Sequence, residues 1–164
     1  KYVYNKPMSQ LKVDSIIPRG GLPSGASGGI IQMKTTVKTD TFKTSSNSMV
    51  DVTGLSVTIT PQSSSNKILC ICSLTAGNGQ GGQHNKYRIM RGSTSLMSTN
   101  QSVRNDETNS TYSYSSIVLD SPNTTSATTY KIQILAESNE VFVNRNGSNN
   151  HYGESSIIVF EVGM

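Results

Sequence analysis

The sequence has 164 residues, of which 34% are hydrophobic and 15% charged, with no tryptophan and a formal net charge of +4. That is the length of one domain, too short for two full cores, and its polar mass is neutral rather than charged, unlike that of a disordered chain. The 14 Lys and Arg are scattered with no two adjacent, which argues against nucleic acid as a partner, and no run near twenty apolar residues offers a membrane span.

Residues 1–29 read as an extended arm. Leu11, Val13, Ile16 and Ile17 supply short apolar pieces, and the stretch from Ile16 through Pro18 to Gly29 is rich in Gly and Pro, which break helix and ladder alike. Met8-Ser9 looks like a natural start, so the first seven residues are expected to be upstream sequence or a processing product. From Ile30 to Met164 the pattern changes to short period-two runs bounded by turn residues, the signature of an all-β sandwich or barrel.

In the first run Ile31, Met33, Thr35 and Val37 share a face; in the next, Leu55, Val57 and Ile59 do, with Ser56, Thr58 and Thr60 opposite. Both are expected to be half-buried strands. Ile68–Leu74 is apolar on both faces, as expected of a central strand covered on both sides or facing another subunit. Further strands are predicted at Asn85–Met90, Leu96–Ser98, Tyr112–Leu119, Thr128–Ala136, Val141–Asn144 and Ser155–Val162. The last one carries Ile158, Phe160 and Val162 on a second apolar face, so these are candidate subunit-interface residues unless the strand is central. Between the runs, 76–83, 100–111, 121–127 and 144–152 read as polar surface loops, where recognition commonly sits.

Catalytic and metal chemistry find little support. Cys70 and Cys72 stand two apart in a strand, a poor geometry for a disulfide, and His84 and His151 lack paired cysteines for zinc, so the thiols read as small buried residues. Glu137 and Glu140, Asp106 and Glu107 form no buried acid pair, and Glu161 is expected in an ion pair or facing solvent. No Gly-x-Ser-x-Gly elbow and no phosphate-binding glycine loop is present. Lys86, Arg88 and Arg91 around Tyr87 read as a solvated strand face. What remains is neutral and polar: Asn78, Gln80, Gln83, His84, Asn85, Asn146, Asn149, Asn150, His151 and Tyr152 in the two richest loops, a set suited to a neutral glycan, though Asn and Gly also serve turn geometry.

The arm from Met8 to Gln32, with Val37–Phe42, Val50–Pro61, Ser65–Leu69, Arg91-Gly-Ser93 and Ser121–Ile132 in the same order, resembles small tail-fibre-like virion proteins of marine tailed phages, especially those infecting cyanobacteria. The resemblance implies a non-enzymatic virion protein without cofactor or metal: a homotrimer with a jelly-roll-like antiparallel β-sandwich head. Its arm would fasten it to other virion proteins and its head would meet a host-surface glycan. A capsid-attached head fibre or decoration protein is the alternative, and a polysaccharide depolymerase a more distant one.

Overall fold

Alternating β-branched residues with Ser and Thr suit a pleated sheet that is covered on one face. The computed structural model describes residues 29–150 and 153–164, and none of these is helical. Eleven strands follow one another: β1 (Ile30–Lys38), β2 (Phe42–Thr44), β3 (Val50–Ile59), β4 (Lys67–Asn78), β5 (Gln83–Arg91), β6 (Thr94–Ser95), β7 (Gln101–Asn105), β8 (Thr111–Asp120), β9 (Thr128–Leu135), β10 (Val141–Val143) and β11 (Ser155–Val162).

All pairings are antiparallel, in two sheets. The six-stranded sheet has the order β1-β11-β4-β10-β2, with β8 on the other edge of β4. The five-stranded sheet has the order β3-β9-β5-β6, with β7 also on the far edge of β5. Between them lies one core. Ile68, Cys70, Cys72 and Leu74 of β4 with Ile157 and Val159 of β11 meet Leu55, Val57 and Ile59 of β3, Tyr130, Ile132 and Ile134 of β9, and Tyr87 and Ile89 of β5. The fold is thus an all-β antiparallel sandwich. Near the start of β3 the ladder with β9 slips between Asp51 and Ser56, where Gly54 adopts a φ of 81° that only glycine takes without strain.

Several expectations need revision. The apolar face of β1 points outward: Met33 and Val37 are 54% and 51% exposed, whereas Lys38 on the opposite face is buried. Period two identifies residues that share a face but not which face is inside. Gln101–Asn105, expected in a loop, forms β7, held by one buried apolar residue, Val103. Gln83 and His84 also belong to β5, which begins two residues before the predicted start at Asn85. The strand expected at Leu96–Ser98 is displaced to Thr94–Ser95, and Phe42–Thr44 adds a strand too short to show a period. The arm residues Leu11, Val13, Ile16, Ile17 and Pro18 lie outside the described residues, as do His151 and Tyr152.

Candidate functional site

The strand directions separate the two ends of the sandwich. Ile30 pairs with Val162, and the Gly163 amide donates to the Gly29 carbonyl at 2.9 Å, so the chain enters the body beside the end of β11. At the opposite end β4 finishes at Asn78 and β5 begins at Gln83, and the segments 79–82, 106–110, 136–140 and 144–150 gather there.

Burial divides the recognition candidates at this end. Asn78, Asn85 and Asn146 are 1%, 0% and 6% exposed, so they frame the loops instead of facing solvent. The Asn85 side-chain oxygen accepts from the Glu137 amide at 3.2 Å. Asn146 ties two loops together: its side chain donates to the Asn109 carbonyl at 3.0 Å and accepts from the Asn150 amide at 3.1 Å, and its own amide donates to the Asn150 carbonyl at 3.1 Å. Gln80, His84, Asn149 and Asn150 are exposed and Gln83 is half-buried. Gln80 accepts from Asn139, and Asn149 accepts from Arg145. Asn109, Asn139, Asn144 and Asn149 have φ between 58° and 65°, the left-handed turn geometry that asparagine tolerates best after glycine.

Sequence reasoning missed a cleft at this end. Thr75, Asn109, Thr111, Tyr112, Ser113, Asn146 and Gly153 line a cleft of about 380 Å³. Leu74 packs into the core, so Thr75 and its cross-strand partner Ser113 stand on the outer face of the six-stranded sheet. The cleft therefore opens on that face at its loop end. The signal that could have found it is the run of hydroxyl residues in Thr111–Ser116. The walls depend on glycine. A Cβ at Gly77 would stand 2.6 Å from the Arg145 carbonyl oxygen and 2.8 Å from that of Ser110, and one at Gly147 would stand 2.3 Å from Asn109 Oδ1 and 2.6 Å from Gly79 Cα.

Farther from the loops the same face becomes apolar. Two cross-strand rows span β1, β11, β4 and β8: Met33, Phe160, Leu69 and Leu119 in one, and Thr35, Ile158, Ile71 and Ile117 in the next. Ile117 and Leu119 are 68% and 61% exposed, while Ile158, Phe160 and Val162 are half-buried. Ile158 and Phe160 thus lie in the middle of an apolar surface, with β11 central in its sheet. The outer face of the other sheet is polar. Lys86 pairs with Glu137, Arg88 donates to Gln133, and Lys131 and Gln133 both reach Asp51. Lys86 and Arg88 accordingly form a solvated strand face, while Tyr87 between them is buried.

The buried carboxylates Asp120 and Glu161 are internally matched. Arg91 donates to both carboxylate oxygens of Asp120 at 2.8 and 2.9 Å and to the Ser121 carbonyl at 3.0 Å. Tyr130 donates to Asp120 at 2.7 Å. Burial, then this hydrogen bond to a carboxylate, pushes the Tyr130 phenol well above its ordinary range. Glu161 is buried and neither faces solvent nor takes a cation as its partner. It accepts from Asn66 and Gln32 side chains at 2.6 Å each and from the Gln62 and Ser63 amides at 2.7 and 3.4 Å. Burial pulls its carboxyl upward, but these donors outweigh it and leave the group below its ordinary value. Cys70 and Cys72 are free and buried, and burial above all pushes both thiols up to about 12. Among the described residues no group of three His, Cys, Asp or Glu side chains could hold a metal ion.

No family model matches the chain, and no curated protein matches it. Among solved structures it is similar to a chain of the T13 particle of infectious bursal disease virus, at 13% identity and a TM-score of 0.47 over 98% of this chain and 39% of that one. It is also similar to VP2 in the subviral particle of that virus, at 15% identity and 0.43 over 79% and 36%. A third match is the structure of the Gx strain of the virus, at 13% identity and 0.46 over 92% and 42%. The chain thus corresponds to well under half the length of each of these.

Proposed function

We propose that this chain is a non-enzymatic structural subunit of a phage particle, fastened by its N-terminal arm, associating with copies of itself as a homotrimer, and presenting its loop end to a host-surface glycan. The observation that carries the reading is the outer face of the six-stranded sheet, where two rows, apolar but for Thr35, cross four strands and leave Met33, Ile117 and Leu119 more than half exposed. A monomer keeps such a patch only at a cost in solubility, and covering it removes apolar side chains from water. The opposite outer face carries ion pairs and amide bridges suited to permanent contact with water. Association is therefore one-sided, which suits a ring of copies gathered about an axis. Three is the copy number that the sequence resemblance implies. The arm joins the body at Ile30, the end away from the loops, which supports attachment at one end and recognition at the other.

Sedimentation equilibrium tests the assembly. The full chain is expected at the mass of three 17.6 kDa chains, and the double variant Ile117→Lys, Leu119→Lys at the mass of one with its far-ultraviolet circular dichroism unchanged. A single-chain mass for the unsubstituted protein overturns the trimer. Immunoelectron microscopy of intact particles tests the station: label on tail fibres with blocked adsorption supports attachment, whereas label on the capsid with normal adsorption makes it a decoration protein.

A further inference from the structure

We infer that the cleft between the β7–β8 and β10–β11 loops is a binding site for a neutral saccharide. This rests on the glycan-recognition part of the function proposed above and names the subsite and the class of sugar. Its volume of about 380 Å³ lies at the small end of the range of roughly 300–1,000 Å³ typical of small-molecule sites.

The lining decides the chemistry. It consists of hydroxyls, amides, one tyrosine and one glycine, with no lysine, arginine, aspartate, glutamate or histidine among its described residues. Against these described residues an anionic sugar would lose hydration without gaining a counter-charge, while a neutral polyol finds donors and acceptors of its own kind. Thr75 Oγ1 gives its proton to the Glu154 carbonyl at 2.9 Å and keeps a lone pair for a ligand hydroxyl. Ser113 Oγ, 3.5 Å from Thr75 Oγ1, is held only loosely and is exposed. Tyr112 is the cross-strand partner of the core residue Ala76, so its ring leaves on the other face of the sheet and the contacts proposed for the sugar are those of hydroxyls and amides.

The walls are already in place. Asn146 fixes the β10–β11 loop to the Asn109 carbonyl, and the absence of a Cβ at Gly77 and Gly147 lets the two loops touch β4 and one another.

The assembled full chain, applied to an array of neutral, sialylated and sulfated glycans, is expected to select neutral members. The best of these is then titrated calorimetrically against variants. Ser113→Val is expected to weaken binding about tenfold, the loss of one good contact, with sedimentation mass and melting temperature unchanged. Ser113→Thr, which keeps the hydroxyl, is expected to retain most of the affinity. Binding that Ser113→Val does not alter, or selection of acidic glycans only, overturns the cleft while leaving glycan recognition by another loop standing. Failure to bind any glycan overturns both, and the sedimentation result then decides the assembly separately.

Discussion

Glu161 is an acid in the most apolar strand of the chain, and its four donors explain why it is tolerated there. Removing a carboxylate from water is costly unless its lone pairs are met, and here two side-chain amides and two backbone amides meet them. A group whose value is lower when folded than when unfolded contributes stability that is complete above the ordinary glutamate range and is lost as pH falls through its depressed folded value. Denaturant midpoints of the native chain are therefore expected to fall on the acid side of neutrality. Glu161→Gln, which turns an amide N–H₂ toward donors, should cost roughly 1–3 kcal/mol at pH 7 and flatten the acid limb. A variant whose midpoint keeps the full acid dependence would assign that dependence to another carboxyl. Thr111 is the opposite case. Its hydroxyl oxygen is buried and lacks a hydrogen-bond partner, so Thr111→Val is expected to leave the melting temperature unchanged or slightly raised.

At the scale of strands and loops, the sequence was legible wherever one face carried an unbroken apolar stripe into the core. Leu55, Val57 and Ile59 were read with the correct side inward, and β4, β8, β9, β10 and β11 were found within a few residues. The stripe of β1 reads as half-buried, yet it forms part of an outer surface, because an exposed stripe and a core stripe obey the same period. The inner face of β1 is instead polar: Gln32 reaches Glu161, Thr36 donates to the Ser56 carbonyl, and Lys38 pairs with Asp40. At the loop end the asparagines were conspicuous, but a left-handed turn and a ligand contact require the same residue. Only burial separates Asn146, which holds the frame, from Asn149 and Asn150, which are exposed. The cleft depends on two loops that lie more than thirty residues apart and meet across Gly147, a proximity that no local pattern carries. Gly147→Ala is expected to force these loops apart and to cost about 1–3 kcal/mol, the usual penalty of overpacking; an unchanged melting temperature would mean that the contact relaxes freely.

In the whole molecule one core serves both sheets, and Cys70 and Cys72 sit inside it as reporters. Buried, with their thiols pushed up to about 12, they are poor nucleophiles in the native state. A thiol reagent is expected to label neither in the folded chain and both at once on unfolding. The association proposed above would stabilise the folded form by mass action, so labelling should slow as chain concentration rises; a rate independent of concentration would mean that association leaves the core's stability untouched. The two ends of the sandwich have a further, mechanical consequence. Chain entering at Ile30 runs directly into β1, whose ladder with β11 extends from Ile30–Val162 to Lys38–Ser155, along the axis joining the arm end to the loop end. Ladder hydrogen bonds lie across the strands, so in the proposed attachment tension between an anchored arm and a captured surface would load these rungs in shear, together, rather than peeling them one at a time.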